Sequence, residues 1–287
     1  MKLFSILAIA SYLSFTFVNA MPVVDKRQLG GNNLTATASN RPATSQEVEN
    51  LKYYMTLAGN AYCQTVIPGG KWECGNCDRT ANMEIVKLFT TSKWDTNAMV
   101  VRDDETKRII SVFRGSVSSK NFQADMDSVL ISYPGAKGTR VHRGFWNSYD
   151  EVAKDIVAVV KQQLEEYPDY SLYSTGHSLG GCTSTLHALD LHQQGFNVTL
   201  YSNASPRIGN KAFAEYASKA GFPYYRLTNK RDIFVNYPYK LQGFVHGGEE
   251  YWIQANDQIV VCPNGVETDY CYNSGRGLTN VDDHLQF

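Results

Sequence analysis

Two periods of hydrophobic residues alternate along the chain from about residue 45 onwards. A helical spacing of apolar residues starts at an N-cap serine, Ser45, with Glu47 just behind it, and predicts a helix over residues 45–61. Two short apolar runs follow, at residues 98–102 and 108–113. The polar stretch between them, residues 103–106, predicts that they form a strand hairpin.

The second half of the chain continues this alternation. The predicted helices cover residues 141–166, 180–194 and about 211–220. The predicted strands cover residues 170–175, 199–202 and 224–228, with a hairpin region at 251–253 and 258–261. Because strands alternate with helices and no internal repeat is found, the sequence predicts one α/β domain with a mixed sheet.

Composition and charge are those of an ordinary globular protein. Of the 287 residues, 43% are hydrophobic and 19% are charged, an ordinary globular balance that can bury a sizeable core. The formal net charge is −1, and no basic cluster lies along the chain. The sequence therefore gives no argument for a nucleic-acid partner.

The first twenty residues have the pattern of a secretory signal peptide. Met1 and Lys2 supply a positive start, residues 3–18 are nearly all apolar or small, and Ala20 ends a small-residue cleavage site. The alternative is a membrane anchor, which is disfavoured because the apolar run is short for a span. We therefore expect a secreted, extracellular protein.

A second processing signal follows at Lys26 and Arg27, a dibasic pair before Gln28. It indicates a short propeptide over residues 21–27 and a single domain over residues 28–287. The alternative is a plain charged pair in an unpacked lead-in, which the composition of this region also allows.

Six cysteines follow the signal segment: Cys63, Cys74, Cys77, Cys182, Cys262 and Cys271. In an exported protein they are disulfide candidates rather than metal ligands. A structural zinc site needs four ligands, and no second close pair of suitable spacing accompanies Cys74 and Cys77. We interpret Cys74–Cys77 and Cys262–Cys271 as two short-loop disulfides, which leaves Cys63 and Cys182 over.

Three Asn-x-Ser/Thr sequons, at Asn33, Asn197 and Asn203, indicate a glycoprotein. The third lies in a segment that we expect to be buried, so we do not expect Asn203 to be modified.

The motif Gly176-His177-Ser178-Leu179-Gly180 indicates a catalytic serine. It matches G-x-S-x-G, in which a strand turns sharply into a helix with the serine at the apex. The turn exposes the hydroxyl near a helix N-terminus, where the dipole and the N–H groups favour a developing negative charge. The motif is weak alone, but here an apolar strand pattern precedes it and a helix-compatible run follows. Ser178 is therefore the candidate nucleophile.

A serine nucleophile needs a base, and the base needs an orienting acid. After a nucleophile elbow the expected chain order is Ser, then Asp or Glu, then His. Asp232 stands just after a predicted strand, where a loop would carry the acid, whereas Asp190 falls within the helix after the elbow. His246 and His284 both lie well downstream, and the pattern alone does not rank them.

A series of further short motifs runs through the chain in this order: Tyr62-Cys63-Gln-Thr-Val-Ile-Pro-Gly, Cys74-Gly-Asn-Cys77, Phe113-Arg-Gly-Ser116, Val141-His-Arg-Gly-Phe145, the elbow with Gly181, Ser205-Pro-Arg-Ile-Gly209, Arg231-Asp232, Glu249-Glu-Tyr-Trp-Ile253 and Asp283-His-Leu285. From about residue 45 to its end, the chain resembles the secreted fungal class 3 triacylglycerol lipases of the Rhizomucor miehei lipase type. The resemblance implies an α/β-hydrolase fold with a predominantly parallel central sheet and a short lid helix.

The same resemblance implies roles for individual residues. Ser178 would be the nucleophile, Asp232 the acid and His284 the base, with His246 as a structural residue. Ser116 and Leu179 would form the oxyanion hole. Loss of one such donor costs about 3 kcal/mol of transition-state stabilisation. No metal ion and no organic cofactor are implied.

The residues after Ser116, 117–126, would form the lid that covers the site in water and rolls back at an oil surface. Phe122 and Met126 give this lid its apolar side chains, and Asp125 matches a position that helps to hold the oxyanion-hole serine. The segment departs from the family, because Ser119 and Gln123 stand where similar lipases carry large aliphatic residues. This polar character weakens the expectation of strong interfacial activation and points toward the related feruloyl esterases. An ordinary surface helix is the remaining alternative.

The end of the chain is a second departure from the family. Similar lipases continue to a cysteine that bridges back to the position of Cys63, whereas this chain stops at Phe287. We therefore expect Cys63 to lack its family partner, and Cys182 to be buried as a small apolar residue. Loss of a bridge across so long a loop costs about 2–5 kcal/mol. Two interpretations stay open, a shortened homologue and an incomplete chain.

Three functions are compatible with these features. The first is a monomeric lipase that binds acylglycerols and makes transient contact with a lipid–water interface. The second is an esterase for soluble or plant-wall phenolic esters. The third is a catalytically inactive lipid-binding homologue, against which the complete set of triad residues argues.

Overall fold

The computed structural model describes residues 40–116, 128–263, 265–274 and 279–285. Strand β1 (Arg41–Pro42) leads into helix α1 (Ser45–Asn60). The N-cap is Thr44, one residue before the predicted cap: its hydroxyl accepts the N–H of Glu47, and the Glu47 carboxylate accepts the N–H of Thr44. Serine is slightly preferred over threonine as a cap by residue type, but the three-residue spacing to Glu47 decides for Thr44.

The large sheet contains eight further strands of the described chain, and their bounds are β2 (Glu84–Thr90), β3 (Asn97–Asp103), β4 (Arg108–Phe113), β7 (Ser171–His177), β8 (Val198–Asn203), β10 (Tyr224–Asn229), β12 (Glu249–Ile253) and β13 (Ile259–Cys262). Their order across the sheet is β1-β13-β12-β10-β8-β7-β4-β3-β2. The five central strands, from β12 to β4, run parallel, and the pairs on either side are antiparallel. The predicted α/β-hydrolase architecture with parallel central strands is confirmed.

A second, four-stranded antiparallel sheet lies beside the first, built from β5 (Leu130–Ser132), β6 (Arg140–His142), β9 (Gly209–Asn210) and β11 (Phe244–Val245). The prediction of a helix from residue 141 was wrong at its start, because Val141 and His142 belong to β6. Helix α2 (Arg143–Glu166) begins after His142, whose Nδ1 accepts the N–H of Gly144 at 3.1 Å.

Helices cover both faces of the large sheet and create two hydrophobic cores. Ile109 and Phe113 of β4 belong to the core with α2 and α3 (Leu179–Gln193), whereas Ile110 and Val112 belong to the core with α1. This period of two follows from the alternation of side chains along a strand. A further helix, α4 (Lys211–Ser218), contributes Phe213 to the first core. Helix α3 is buried on nearly all sides. Close packing around the helix therefore fixes the position of Ser178, the residue before its first turn.

Four of the six cysteines form two disulfides. Cys74–Cys77 and Cys262–Cys271 are disulfide-bonded, as the short spacings indicated. Cys63 and Cys182 are free thiols, the first partly exposed and the second fully buried. The expectation that Cys182 is buried is confirmed.

Within the part of the chain that is described, no helix has both the length and the apolar composition that crossing a membrane requires.

Candidate active site

The candidate nucleophile is the single residue between β7 and α3. Ser178 has φ 60° and ψ −127°, a backbone conformation that a non-glycine residue adopts only when its surroundings impose it. Its N–H donates to the carbonyl of Asn203 at 2.9 Å. The flanking glycines are required by space, because a Cβ on Gly176 would overlap the Gly180 carbonyl and one on Gly180 would overlap the Phe113 carbonyl. The strand-to-helix turn that the motif predicted is therefore present, with Ser178 at its apex.

Two distant side chains converge on Ser178. The His284 Nε2 lies 2.9 Å from the Ser178 Oγ, and the His284 Nδ1 lies 2.7 Å from the Asp232 Oδ2. Ser178 and His284 are each 5% exposed, and Asp232 is fully buried. The geometry thus separates the two histidines that the pattern left unranked, because His246 instead bonds the Val235 carbonyl through Nε2 at 2.7 Å.

Asp232 lies in the turn that follows β10, and both of its carboxylate oxygens are engaged. Oδ1 accepts the N–H of Phe234 at 2.8 Å while Oδ2 faces His284. The backbone carbonyl of Asp232 accepts the hydroxyl of Tyr272. Burial raises the pKa of Asp232 above its ordinary value, and the hydrogen bonds from His284 and Phe234 offset part of that rise. The carboxylate is therefore fixed in orientation behind the imidazole.

His284 ends a one-turn 3₁₀ helix, Asp282–His284, which is tied to the loop of the acid. The Asn229 side chain donates to the Asp283 carbonyl at 2.9 Å, and the Arg231 N–H donates to the Asp283 carboxylate at 3.1 Å. A parallel bridge joins Asp232 to Asn280. The acid and the base thus belong to one hydrogen-bonded unit beside the carboxyl end of β10.

Both predicted oxyanion-hole residues lie on segments next to the nucleophile. Leu179 is the first residue of α3, where amide N–H groups have no partner within the helix. Ser116 follows Gly115, and a Cβ on Gly115 would stand 2.9 Å from the Cβ of Ser178. The loop after β4 therefore packs directly on the nucleophile. The predicted lid residues Phe122, Asp125 and Met126 lie outside the described residues.

Two residues beside the triad were not singled out as site residues by the sequence. The Tyr62 hydroxyl lies 2.9 Å from Nδ1 of His177, and the Nε2 of His177 lies 2.9 Å from the backbone oxygen of His284. Both residues stand inside the motifs of the sequence, but a motif does not reveal that residues so far apart in the chain touch. His187, by contrast, bonds the Ser111 hydroxyl at 3.0 Å, and burial lowers its pKa to about 3.

One grouping of three possible metal ligands occurs in the described part of the chain, and it does not suit a metal ion. It consists of Glu250, Cys262 and Cys271. The two sulfurs are bonded to each other, and Glu250 forms a buried ion pair with Arg226 at 3.1 Å. Thiolate ligands are therefore not available there.

Comparison with known proteins connects this geometry to a family. The family model for lipase (class 3) matches residues 110–242. A lipase from Rhizomucor miehei is 48% identical over 254 residues, which cover 86% of this chain and 70% of that protein. The chain belongs to the class 3 lipase family.

Solved structures of this lipase family superpose closely on the chain. The Rhizomucor miehei triacylglyceride lipase has a TM-score of 0.84 at 47% identity, covering 87% of this chain and 97% of that one. Another structure, of a triacylglycerol lipase with a serine protease triad as its catalytic centre, has a TM-score of 0.83 at 47% identity, covering 86% and 96%. A Rhizopus niveus lipase is 36% identical, and this chain spans 64% of its length. The chain is therefore an enzyme of the lipase class with the α/β-hydrolase fold.

Proposed function

We propose that this class 3 lipase hydrolyses carboxylic esters, with triacylglycerols as its substrate class, through an acyl-enzyme on Ser178. One observation carries the proposal: the continuous line from the Ser178 hydroxyl to the His284 imidazole to the Asp232 carboxylate, at 2.9 and 2.7 Å. The relative with the serine protease triad supports the same assignment of nucleophile, base and acid.

The reaction proceeds in two halves. The His284 Nε2 removes the proton from Ser178 as Oγ bonds to the ester carbonyl carbon, and the carbonyl π electrons move to its oxygen. Collapse of this tetrahedral intermediate breaks the bond to the alcohol oxygen, which takes the proton from His284. Water then attacks the acyl-enzyme by the same sequence and releases the carboxylic acid and the free serine. Asp232 keeps the proton of the resting imidazole on Nδ1, so that Nε2 is free to act as base.

The charge on the tetrahedral oxygen needs donors that are in place before reaction. We assign this role to the Leu179 N–H, at the start of α3, and to Ser116 in the loop that packs on the nucleophile. Leu179 adjoins Ser178 in the chain, Ser116 adjoins the glycine that packs on Ser178, and membership of the class 3 lipase family supports both assignments.

The surroundings of the reaction are part of the proposal. Phe122, Asp125 and Met126 are assigned to a lid that governs contact with a lipid–water interface, and the enzyme is assigned a monomeric state. Residues 1–20 are assigned to a signal peptide and 21–27 to a propeptide, so that residues 28–287 act outside the cell. A secreted mono- and diacylglycerol lipase A of Penicillium cyclopium, 29% identical over 90% of both chains, supports export.

A second candidate is an esterase for soluble esters, favoured by the polar residues Ser119 and Gln123 in the lid segment. One experiment decides between them: hydrolysis of a partly soluble short-chain ester below and above its solubility limit, beside hydrolysis of a long-chain triglyceride emulsion. A lipase increases its rate when substrate forms droplets, whereas a flat response would favour the esterase. Ser178→Ala should reduce both activities by about 10⁶-fold, and an active Ser178→Ala variant would refute the proposed nucleophile.

A further inference from the structure

A second line of hydrogen bonds lies behind the triad. It joins Tyr62, on the segment after α1, to His177 and then to the main chain of His284. His177 is the residue before the nucleophile and is 5% exposed. Its Nδ1 lies 2.9 Å from the Tyr62 hydroxyl and its Nε2 lies 2.9 Å from the His284 carbonyl oxygen. The hydrolytic steps described above use neither contact.

The direction of each of these hydrogen bonds follows from the chemistry of the groups. A carbonyl oxygen can only accept, so Nε2 of His177 carries a proton and donates it to His284. Burial keeps the pKa of His177 well below its ordinary value, and the nearby His284 ring lowers it further, so the ring is neutral. Nδ1 is then an acceptor, and the Tyr62 hydroxyl must donate to it. The Tyr62 hydroxyl also packs directly against Gly115.

This line connects three segments that carry the reaction. Gly115 precedes the oxyanion-hole residue Ser116, His177 precedes the nucleophile, and His284 is the base. The space around the line is filled, because a Cβ on Gly115 would overlap the Tyr62 hydroxyl. The rings of His177 and His284 pack with centroids 4.7 Å apart. A shift of the His284 main chain therefore has to break the hydrogen bond from His177.

We propose that His177 is a positioning residue, which holds the main chain of His284 where its imidazole reaches Ser178, and that Tyr62 selects the tautomer of His177 that can do so. This inference rests on the function proposed above. A displacement of about 1 Å at reacting groups can cost roughly 100-fold in rate, so the contact acts on kcat rather than on substrate binding.

Three variants test the proposal. His177→Leu removes the donor to the His284 carbonyl at similar volume, and we expect kcat on a soluble ester to fall by roughly 100-fold with KM changed less than about threefold. His177→Gln is the matched variant, because its side-chain amide can donate from the position of Nε2, and it should recover at least about tenfold of that loss. Tyr62→Phe removes one oxygen atom and should lower kcat by roughly tenfold.

A spectroscopic measurement separates positioning from a general loss of stability. The proton between the His284 Nδ1 and Asp232 is expected as a far-downfield ¹H resonance, which should broaden or shift in His177→Leu and persist in His177→Gln. Thermal midpoints of the variants should not follow their order in kcat. Wild-type kcat in a folded His177→Leu protein would overturn the proposal, as would a His177→Gln variant no better than His177→Leu.

The proposal can still be tested if His177→Leu is unstable, and its failure can be told apart from failure of the proposed function. If His177→Leu does not fold, Tyr62→Phe carries the test, and wild-type kcat in that variant would overturn the proposal. Failure of the proposed function looks different: Ser178→Ala would then be as active as the wild type, or the wild type would hydrolyse no ester.

Discussion

Ser178 and Asp232 are each placed by one local feature, a strained turn for the serine and a strand end for the acid. Both features left a signal in the sequence: glycines around Ser178, and an apolar run ending shortly before Asp232. His284 has no such signal, because it ends a single 3₁₀ turn whose place depends on Asn229 and Arg231. Its assignment from sequence came from a resemblance, and the 2.9 Å contact with Ser178 now supports it on geometry.

Asp232→Asn is the sharpest residue-scale test of the acid. An amide at this position presents an N–H toward the Nδ1 of His284 and favours the tautomer that cannot accept the serine proton. We expect kcat to fall about 10⁴-fold with the fold intact, as the same change does in serine proteases. The measurement is kcat on a soluble ester, together with circular dichroism.

Asp190→Asn is the control for this prediction. Asp190 lies in the helix after the elbow and accepts the hydroxyl of Tyr149, away from His284. We expect its kcat to stay within a few-fold of the wild type. Equal losses in the two variants would contradict the assignment of Asp232.

At the scale of elements, the sequence predicted the long and regular ones and missed the short or irregular ones. Strand β4 was predicted with the bounds that it has in the structure, because a polar turn precedes its apolar run and Arg114 and Gly115 follow it. Strand β2 was missed: a register shift between Ile85 and Lys87 interrupts its alternation. The strands of the second sheet have two or three residues each, too few to show a period. These strands form only because neighbouring segments supply their partners.

Two helical glycines predict opposite effects of the same substitution. A Cβ on Gly59 in α1 would meet nothing within 4 Å, so Gly59→Ala should raise the free energy of unfolding by about 0.5–1 kcal/mol. A Cβ on Gly181 in α3 would stand 2.9 Å from the Cβ of Ser205, so Gly181→Ala should lower it by about 1–3 kcal/mol. Urea denaturation measures both, and a stabilised Gly181→Ala protein would contradict the packing described.

The start of α1 predicts a dependence of stability on pH. The Arg41 guanidinium, with the hydrogen bonds from Thr44 and Tyr251, holds the pKa of Glu47 well below its ordinary value. Because the folded-state pKa lies below the unfolded one, the stabilisation is complete above the unfolded pKa of about 4.3. It is lost as pH falls from there toward the folded-state pKa.

Glu47→Gln should therefore be less stable than the wild type at pH 7, by about 1 kcal/mol as for the loss of a cap, and the difference should shrink below about pH 4. Denaturant midpoints at several pH values measure this. Glu49→Gln, which removes only an i,i+3 pair with Lys52, should change stability by a few tenths of a kcal/mol. If the stability difference between the wild type and Glu47→Gln instead grew as the pH fell, Glu47 would not have a lowered pKa in the folded state.

At the scale of the whole molecule, the parallel strands explain why residues so distant in the chain meet. The carboxyl ends of β4, β7 and β10 lie on one edge of the sheet, and they lead to Ser116, Ser178 and Asp232 respectively. Alternating helix and strand patterns predicted an α/β domain with a mixed sheet, and the resemblance to the class 3 lipases implied its parallel centre. They could not predict the contact of Tyr62 with His177, because it depends on how α1 packs over the sheet.

The reactivity of the Cys182 thiol reports whether the core around α3 stays closed in the native protein. Its side chain is fully buried at the start of α3, with Sγ 3.4 Å from the Ser205 hydroxyl, and burial raises the pKa of the thiol. Since the thiolate is the reactive form, Cys182 should react with a thiol reagent at pH 8 only as fast as the protein unfolds.

Cys63 is the internal control, because it is also a free thiol but is partly exposed. Labelling followed by mass spectrometry of peptides should show Cys63 modified first in native buffer and both thiols modified in denaturant. Modification of Cys182 at the rate of Cys63 in native buffer would mean that the core beneath the nucleophile opens locally, which its packing against Ser205 and the sheet does not allow.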